Sequence, residues 1–425
     1  MTGTDGSPVL RAVKRFLEHF SDHRRIGVAV SGGSDSTGLL SALVRAAGPD
    51  RIVALTVDHG LRRESADEAQ GVAELSERLG ACHETLHWLG SKPKSGVQAA
   101  ARAARYDLLS EAAFRLDLAA IATAHTAGDQ AETLAMRDAR GVESEGNTGI
   151  PPATLRDESV WFLRPLLHLS RDAIRSHLQA SGLGWVDDPS NTDEKFERVR
   201  VRQAGVAAQD LTLPWRIRTK RAEQIGEVIA ARASRNDDDV FGFDVAGLER
   251  DIALRCMRAL VDMAGGRDRG LDRHGLERLA DFVGQRDMSR LTVGRVLLHK
   301  QGDHITMRRE RRNVAQTRIG PGDEILWDGR YRIANRDPSE WLAVTGSGHY
   351  GILPELTAKA AKDEGTEARP GGFRGGCDIT RICGRASRLM PVFEKSRADA
   401  MAALSGRAGF VDCPWSDWMS VSAPE

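Results

Sequence analysis

No uninterrupted apolar run in this chain of 425 residues approaches the length a bilayer crossing needs, which argues against a helical membrane span. The amino end, MTGTDGSPVL, lacks a basic stretch followed by an apolar core, so no secretory signal is expected and the cytoplasm is the predicted compartment. Cysteine is scarce: the five residues Cys82, Cys256, Cys377, Cys383 and Cys413 are odd in number, scattered and form no CxxC pair. That usage fits reduced thiols better than a disulfide framework. Net charge is also missing, with 60 acidic residues against 60 basic ones, so overall electrostatics does not by itself point to nucleic acid. The distribution adds little: residues 1–200 hold 24 Lys and Arg against 28 Asp and Glu, leaving 36 against 32 for the remainder.

What is present is a chain long enough for two or three domains, with the 41% hydrophobic and 28% charged composition of a globular protein. PVLRAVKRFLEHF has amphipathic helical spacing and leads into RIGVAV, a short buried-strand pattern. STGLLSALVRAA reads as a helix, RIVALTVDH as a strand, and SADEAQGVAELSERLG as a helix with Ser65 as its expected N-cap. CHETLHWL, the helix VQAAARAARYDLLSEAAFRL, the strand LAAIATAH and the helix DQAETLAMRDA continue the alternation to about residue 140. This predicts an α/β fold, a Rossmann-like parallel sheet with helices on both faces, whose ligands bind beyond the carboxyl ends of the strands. After a polar loop at residues 141–152, WFLRPLLHLSRDAIRSHLQASGLGW gives a strand-like run and a helix ended by glycine. The pattern turns helical and Arg-rich from about residue 214, becomes short-stranded after about 290, and is weak beyond 350. The expected domains are residues 1–205, a mainly helical 206–290, and a small mixed α/β region at 291–425.

The strongest local signal is SGGSDS, Ser31, Gly32, Gly33, Ser34, Asp35 and Ser36, between a strand and a helix. Paired glycines let backbone amides turn inward toward phosphate oxygens, with the helix amino end behind them. A Walker loop, GxxxxGK followed by Ser or Thr, needs a lysine that is not here. SGGSDS after a buried strand resembles the pyrophosphate-binding loop of the N-type ATP pyrophosphatases, the PP-loop superfamily. Three further segments, VDHGLR at 57–62, ARAARY at 101–106 and AHTAGDQAET at 124–133, follow in the order that the lysidine synthetases of that superfamily show. WVDDPSNTDEKFERVRVR, Trp185 to Arg202, is similar to that family's D-x-S-N-x-D-x-x-Y-x-R-N signature, with Phe196 in the aromatic place and Val199 in place of the asparagine. Gly128 stands where the family has the first of two adjacent aspartates, and the loop RGVESEGNTGIPP departs from its more regular glycine pattern.

The resemblance implies ATP-dependent ligation of free L-lysine to the wobble cytidine of tRNA(Ile) with a CAU anticodon, through an adenylated cytidine, releasing pyrophosphate and AMP. It implies ATP and Mg2+ as cofactors. Asp35 is the expected magnesium ligand, because an unshielded carboxylate in a phosphate loop would repel a polyphosphate; a helix-terminal carboxylate favoured by the macrodipole is the alternative. Asp129 is a second metal candidate. Asp129 and Glu132, three apart on one helix face, are the expected lysine pocket, and one of them or His125 is the proton acceptor. Arg105 is expected to meet phosphate or the charge developing during adenylyl transfer. Asp58 and His59 are candidates for adenine or ribose, or for a turn. Arg198 and Arg202, together with Arg216 and Arg218, are candidates for tRNA or AMP; Lys220, Arg221 and the aromatic Trp215 extend that basic stretch. His168 and His177 read as ordinary structural histidines. A tRNA thiolase would need cysteines for sulfur transfer, and no cysteine accompanies the phosphate loop; a noncatalytic tRNA-binding relative is the remaining alternative. A homodimer is compatible with the sequence, which leaves oligomeric state open.

Overall fold

A computed structural model describes residues 6–61, 64–90, 92–93, 95–139, 148–187, 201, 209–267, 270–285, 288–348, 353–359 and 376–422. The chain divides into two compact units: residues 1–219 with 391–393 and 411–425, and residues 220–390 with 394–410.

The first unit holds the elements α1 (Pro8–Glu18), β1 (Ile26–Ala29), α2 (Ser34–Ala47), β2 (Ile52–Asp58), α3 (Glu64–Leu79), β3 (Cys82–His87), α4 (Val97–Arg115), β4 (Ala120–Ala122), α5 (Ala127–Ala139), β5 (Ala153–Arg156), β6 (Val160–Leu163) and α6 (Arg171–Ala180). Six strands lie in the order β5-β6-β4-β1-β2-β3. All neighbours among them are parallel except β5 and β6, which form an antiparallel pair with Ala153 opposite Leu163. Strand alternation builds the core: Val53 and Leu55 of β2 pack with Ile121, Phe162 and the α4 residues Leu109, Ala112 and Ala113, so Ile52 and Ala54 point to the opposite face. There α2 packs against α1 and α6. Gly38 allows that approach, because a Cβ at this position would lie 2.4 Å from Ile174 Cγ2.

Helix α1 starts on Ser7, whose side chain accepts from the Leu10 amide, and buries Val9, Leu10, Val13 and Phe16. A segment from far along the chain covers it. The Trp415 ring meets Phe16 edge-on, 5.1 Å between centroids at 87°, the Ser21 amide donates to the Pro414 carbonyl at 2.8 Å, and Arg15 pairs with Asp417 at 3.1 Å.

The helix α7 (Thr212–Arg232) carries the chain out of the first unit. The second unit continues with β7 (Ala233–Arg235), β8 (Phe241–Asp244), α8 (Arg250–Gly265), α9 (Arg273–Gly284), β9 (Ser289–Val293), β10 (Val296–Gln301), β11 (His304–Arg309), β12 (Thr317–Ile319), β13 (Glu324–Trp327), β14 (Tyr331–Asn335), β15 (Trp341–Ser347), β16 (Leu353–Lys359), β17 (Cys377–Arg381) and α10 (Lys395–Leu404). It contains a five-stranded sheet, β7-β8-β11-β10-β9, and two three-stranded sheets, β12-β15-β16 and β13-β14-β17. Sequence pattern shows α7, α8 and α9 but hides β7 and β8, which are three and four residues long. A buried ionic network runs through this unit. Asp328, with φ of 50°, accepts from Arg309 Nη2 at 3.0 Å and Arg330 Nε at 2.8 Å, and Arg295 pairs with it as well. Asp239 takes Arg330 Nη1 at 2.9 Å and Arg381 Nε at 2.7 Å.

Two expectations are corrected. Ser65 is not an N-cap: α3 begins at Glu64, and the Ser65 hydroxyl instead donates to Asp58 Oδ1 at 2.6 Å. Trp215 is not an RNA-facing aromatic, because it is fully buried and its Nε1 donates to the Thr148 carbonyl at 2.8 Å. An indole in a helix is drawn inward when a carbonyl satisfies its one polar atom.

Candidate active site

The strand order explains why two distant sequence motifs meet. After β1 the chain moves to β2 and β3, then crosses back to β4 on the other side of β1, where Val28 pairs with Ala122. The loops leaving β1 and β4 are therefore adjacent at the topological switch point, where doubly wound sheets hold ligands.

The loop after β1 is Ser31 to Gly33. Gly32 has φ of 81°, a conformation that glycine adopts without strain. The Ser31 amide donates to Ser36 Oγ at 3.2 Å, and Ser36 Oγ donates to the Gly33 carbonyl at 3.1 Å, which closes the turn. Gly33 caps α2 without a side chain. The first amides of α2 thus have no side-chain acceptor from the cap, leaving a positive helix end suited to phosphate oxygens. Ser31 is exposed, while Ser34 and Ser36 are buried. The start of the Trp185 to Arg202 motif reaches this loop, with the Val186 amide donating to the Gly32 carbonyl at 2.9 Å.

The loop after β4 brings His125, Asp129 and Glu132. Asp129 is buried, with Oδ2 accepting from the Thr126 amide at 2.8 Å and the Thr126 hydroxyl at 3.0 Å. Glu132, one turn on, is also buried. His125 is half-buried, its Nδ1 3.1 Å from Thr123 Oγ1, which fixes the ring. Gly128 is exposed on the first turn of α5, so only the second position of the family's aspartate pair turns inward here. Gln130 grips the end of the departing loop, with Nε2 donating to the Ile150 carbonyl at 2.9 Å and Oε1 accepting from the Ile150 amide at 2.6 Å.

Arg171 joins the two loops, and the sequence motifs did not single it out. Its Nε donates to Asp35 Oδ2 at 2.8 Å and its Nη2 to Asp129 Oδ1 at 3.4 Å. Burial on its own would lower the Arg171 pKa; the Asp35 hydrogen bond and the charges of Asp35, Asp129 and Glu132 outweigh it and hold the group above its usual range. HLSRDAI carried only part of the signal. Ser170 caps α6, with Oγ accepting from the Ala173 amide at 3.2 Å, which puts Arg171 at the first helical position. A cation at a helix amino end is electrostatically misplaced unless carboxylates lie nearby.

The other expected residues make local contacts of their own. Arg105 is half-buried on α4, with Tyr106 and Arg102 as its ionisable neighbours and a pKa that burial lowers. Close by in that cluster, Arg164 is buried, donating to the Pro151 carbonyl at 2.9 Å and Thr154 Oγ1 at 3.0 Å. Asp58 accepts from Ser65, from the Gly60 amide at 2.9 Å and from His87, and these hold its carboxyl below the ordinary range. The His59 ring stands edge-on to Trp88 at 6.3 Å. Arg216 is exposed, whereas Arg218 donates to Thr148 Oγ1 at 3.1 Å and lies over the Phe393 ring at 4.8 Å. Arg198 and Arg202 lie outside the described residues, as do most of the Trp185 to Arg202 motif and Arg62. His177 is buried, its Nδ1 2.9 Å from Ser7 Oγ. Burial pushes the thiols of Cys256 and Cys413 up to about 12, so both are thiols rather than thiolates at neutral pH.

Three carboxylates, Asp35, Asp129 and Glu132, thus face one guanidinium, an excess of negative charge that favours cations. Their oxygens suit a hard divalent ion such as Mg2+. Among the described residues no group of three or more His, Cys, Asp or Glu is arranged to hold a metal. An ion here would be held by one or two carboxylates and complete its shell from water and nucleotide phosphate.

Residues 7–208 match the family model described as a PP-loop domain. A tRNA(Ile)-lysidine synthase of Rhizobium meliloti (strain 1021) is 35% identical over 455 aligned positions, covering 96% of this chain and 98% of that protein. Proteins of the same name from Mesorhizobium japonicum and Brucella melitensis biotype 2 are 38% and 40% identical, covering 79% and 72% of this chain and 78% and 73% of their own. Among solved structures, a U34-tRNA thiolase from Methanococcus maripaludis aligns at 17% identity and a TM-score of 0.40, over 46% of this chain and 70% of its own. Among the described residues no helix is long and apolar enough to cross a membrane.

Proposed function

The chain belongs to the tRNA(Ile)-lysidine synthase family, and from that premise we propose how its own residues divide the ligation between them. The enzyme uses ATP and acts on tRNA(Ile). In our reading the amides behind Ser31, Gly32 and Gly33 and the hydroxyls of Ser34 and Ser36 hold the pyrophosphate end of ATP. The carbonyl oxygen of the wobble cytidine attacks the α-phosphorus and pyrophosphate leaves, which converts a poor leaving group into AMP. Free lysine then attacks carbon 2 of the base and AMP departs. Its ammonium groups are drawn by Asp129 and Glu132, and one of these carboxylates or His125 takes the proton that frees the nucleophile. Asp35, with Asp129 beside it, would hold Mg2+, which would offset the charge of the phosphates. Arg105 offers a guanidinium to the phosphate. Arg198, Arg202, Arg216 and Arg218, within or flanking the regions 206–290 and 291–425, are assigned to tRNA or AMP contacts. A compartment supplying ATP, tRNA and lysine, the cytoplasm, is what this reading requires.

One observation carries the proposal: the phosphate loop and a buried pair of acids adjoin at the sheet's switch point, with Arg171 touching both. The test is incubation with ATP, Mg2+, labelled lysine and tRNA(Ile) bearing a CAU anticodon. Lysine incorporation with AMP release is expected, and Asp129→Asn should abolish it with an unchanged melting curve. ATP turnover without lysine in the RNA, or full activity in Asp129→Asn, defeats the reading.

A further inference from the structure

We propose that Arg171 is a positioning residue that couples the nucleotide loop to the amine pocket, so that loading one site changes the affinity of the other. The inference rests on the site reading given above and adds a role for a residue outside the family motifs.

Three observations support it. A single planar guanidinium reaches both carboxylates through different nitrogens, at 2.8 Å to Asp35 and 3.4 Å to Asp129. Because the plane is rigid, one of these bonds cannot change without moving the other. The two bonds are also unequal. The shorter one belongs to the loop after β1, and the longer one to Asp129, whose other oxygen accepts from the Thr126 amide and hydroxyl. Finally, Arg171 sits at the first position of α6, against the helix dipole, so its orientation depends on these anions rather than on the helix that carries it.

The consequence is directional. Phosphate oxygens arriving at the amino end of α2 attract the guanidinium toward the loop and lengthen the weaker bond. Asp129 Oδ1 is then released to accept a substrate ammonium in place of Arg171. Nucleotide thus tightens lysine binding, and by thermodynamic reciprocity lysine tightens nucleotide binding by the same factor. An enzyme coupled in this way loads both reactants together, which keeps an activated cytidine from waiting for its amine.

The test is calorimetric titration of lysine into the full-length protein with Mg2+, with and without a nonhydrolysable ATP analogue. Wild type is expected to bind lysine at least about fivefold more tightly with the analogue, the lower end of common coupling factors. Arg171→Lys keeps the charge but loses the fork, and should bind both ligands with the two lysine affinities within about twofold of each other. Arg171→Gln, checked for folding by thermal melting, should uncouple them as well. Arg175→Lys, on the same helix and paired with Asp187, should retain the wild-type ratio. Equal lysine affinities in wild type, or a wild-type ratio in Arg171→Lys, overturns the coupling while leaving the pocket assignment intact. A wild-type protein that binds no lysine under either condition overturns the pocket assignment and the coupling with it.

Discussion

Replacing Asp328 by asparagine isolates what the buried ionic network contributes to the second unit. The substitution preserves side-chain shape, and asparagine tolerates the left-handed backbone that Asp328 adopts at φ 50°. What it removes is the charge facing Arg309, Arg330 and Arg295. Asp328 and Arg330 have wholly buried side chains and that of Arg309 is 1% exposed, so water cannot take over the lost interaction. Breaking a buried pair by removing one partner destabilises by about 3–5 kcal/mol, because the remaining charge stays uncompensated. Arg330 keeps Asp239 at 2.9 Å, which places the expected loss toward the lower end, about 3 kcal/mol. Urea unfolding followed by tryptophan fluorescence reads this out, since Trp327 is buried in the same unit. Asp417→Asn is the control: its partners Arg15 and His19 have side chains 60% and 44% exposed, and it should shift stability by less than about 1 kcal/mol. A loss below about 1 kcal/mol for Asp328→Asn would refute the argument that these arginines depend on its charge.

Two further expectations concern the first unit. Gly38→Ala places a methyl group 2.4 Å from Ile174 Cγ2, and overpacking of this kind costs about 1–3 kcal/mol. Because Ile174 shares α6 with Arg171, ligation should fall along with the melting temperature, and an unchanged melting temperature contradicts the close approach. His177 has a pKa depressed first by burial and then by the charge of Arg45. Its contribution is complete above the unfolded value of about 6.5 and is lost as pH falls through the lower folded value. The urea midpoint of wild type should therefore drop more steeply from pH 7.5 to 5 than that of His177→Gln; parallel slopes would show that the ring titrates freely.

Alternation of apolar runs with amphipathic stretches was enough to place β1 to β4 and their helices, because each element is long or bounded by polar turns. It could not show the antiparallel β5, since ATLR carries no sign of strand direction. The glycine turn at Ser31 to Gly33 and the positions of Asp129 and Glu132 on one helix were legible because short local geometry determines them. Arg171 was not, because its significance lies in two contacts 136 and 42 residues away in sequence. Trp215 misled for the opposite reason: its local neighbours are basic, while its partner is a carbonyl 67 residues distant.

The cover that Trp415, Pro414 and Asp417 provide for α1 has a bearing on biosynthesis. Phe16 emerges from the ribosome almost 400 residues before the indole that packs on it, so α1 waits through the synthesis of all those residues with that surface bare. A nascent chain halted after residue 219 would display it to solvent and to chaperones. Only synthesis through residue 415 supplies the missing ring.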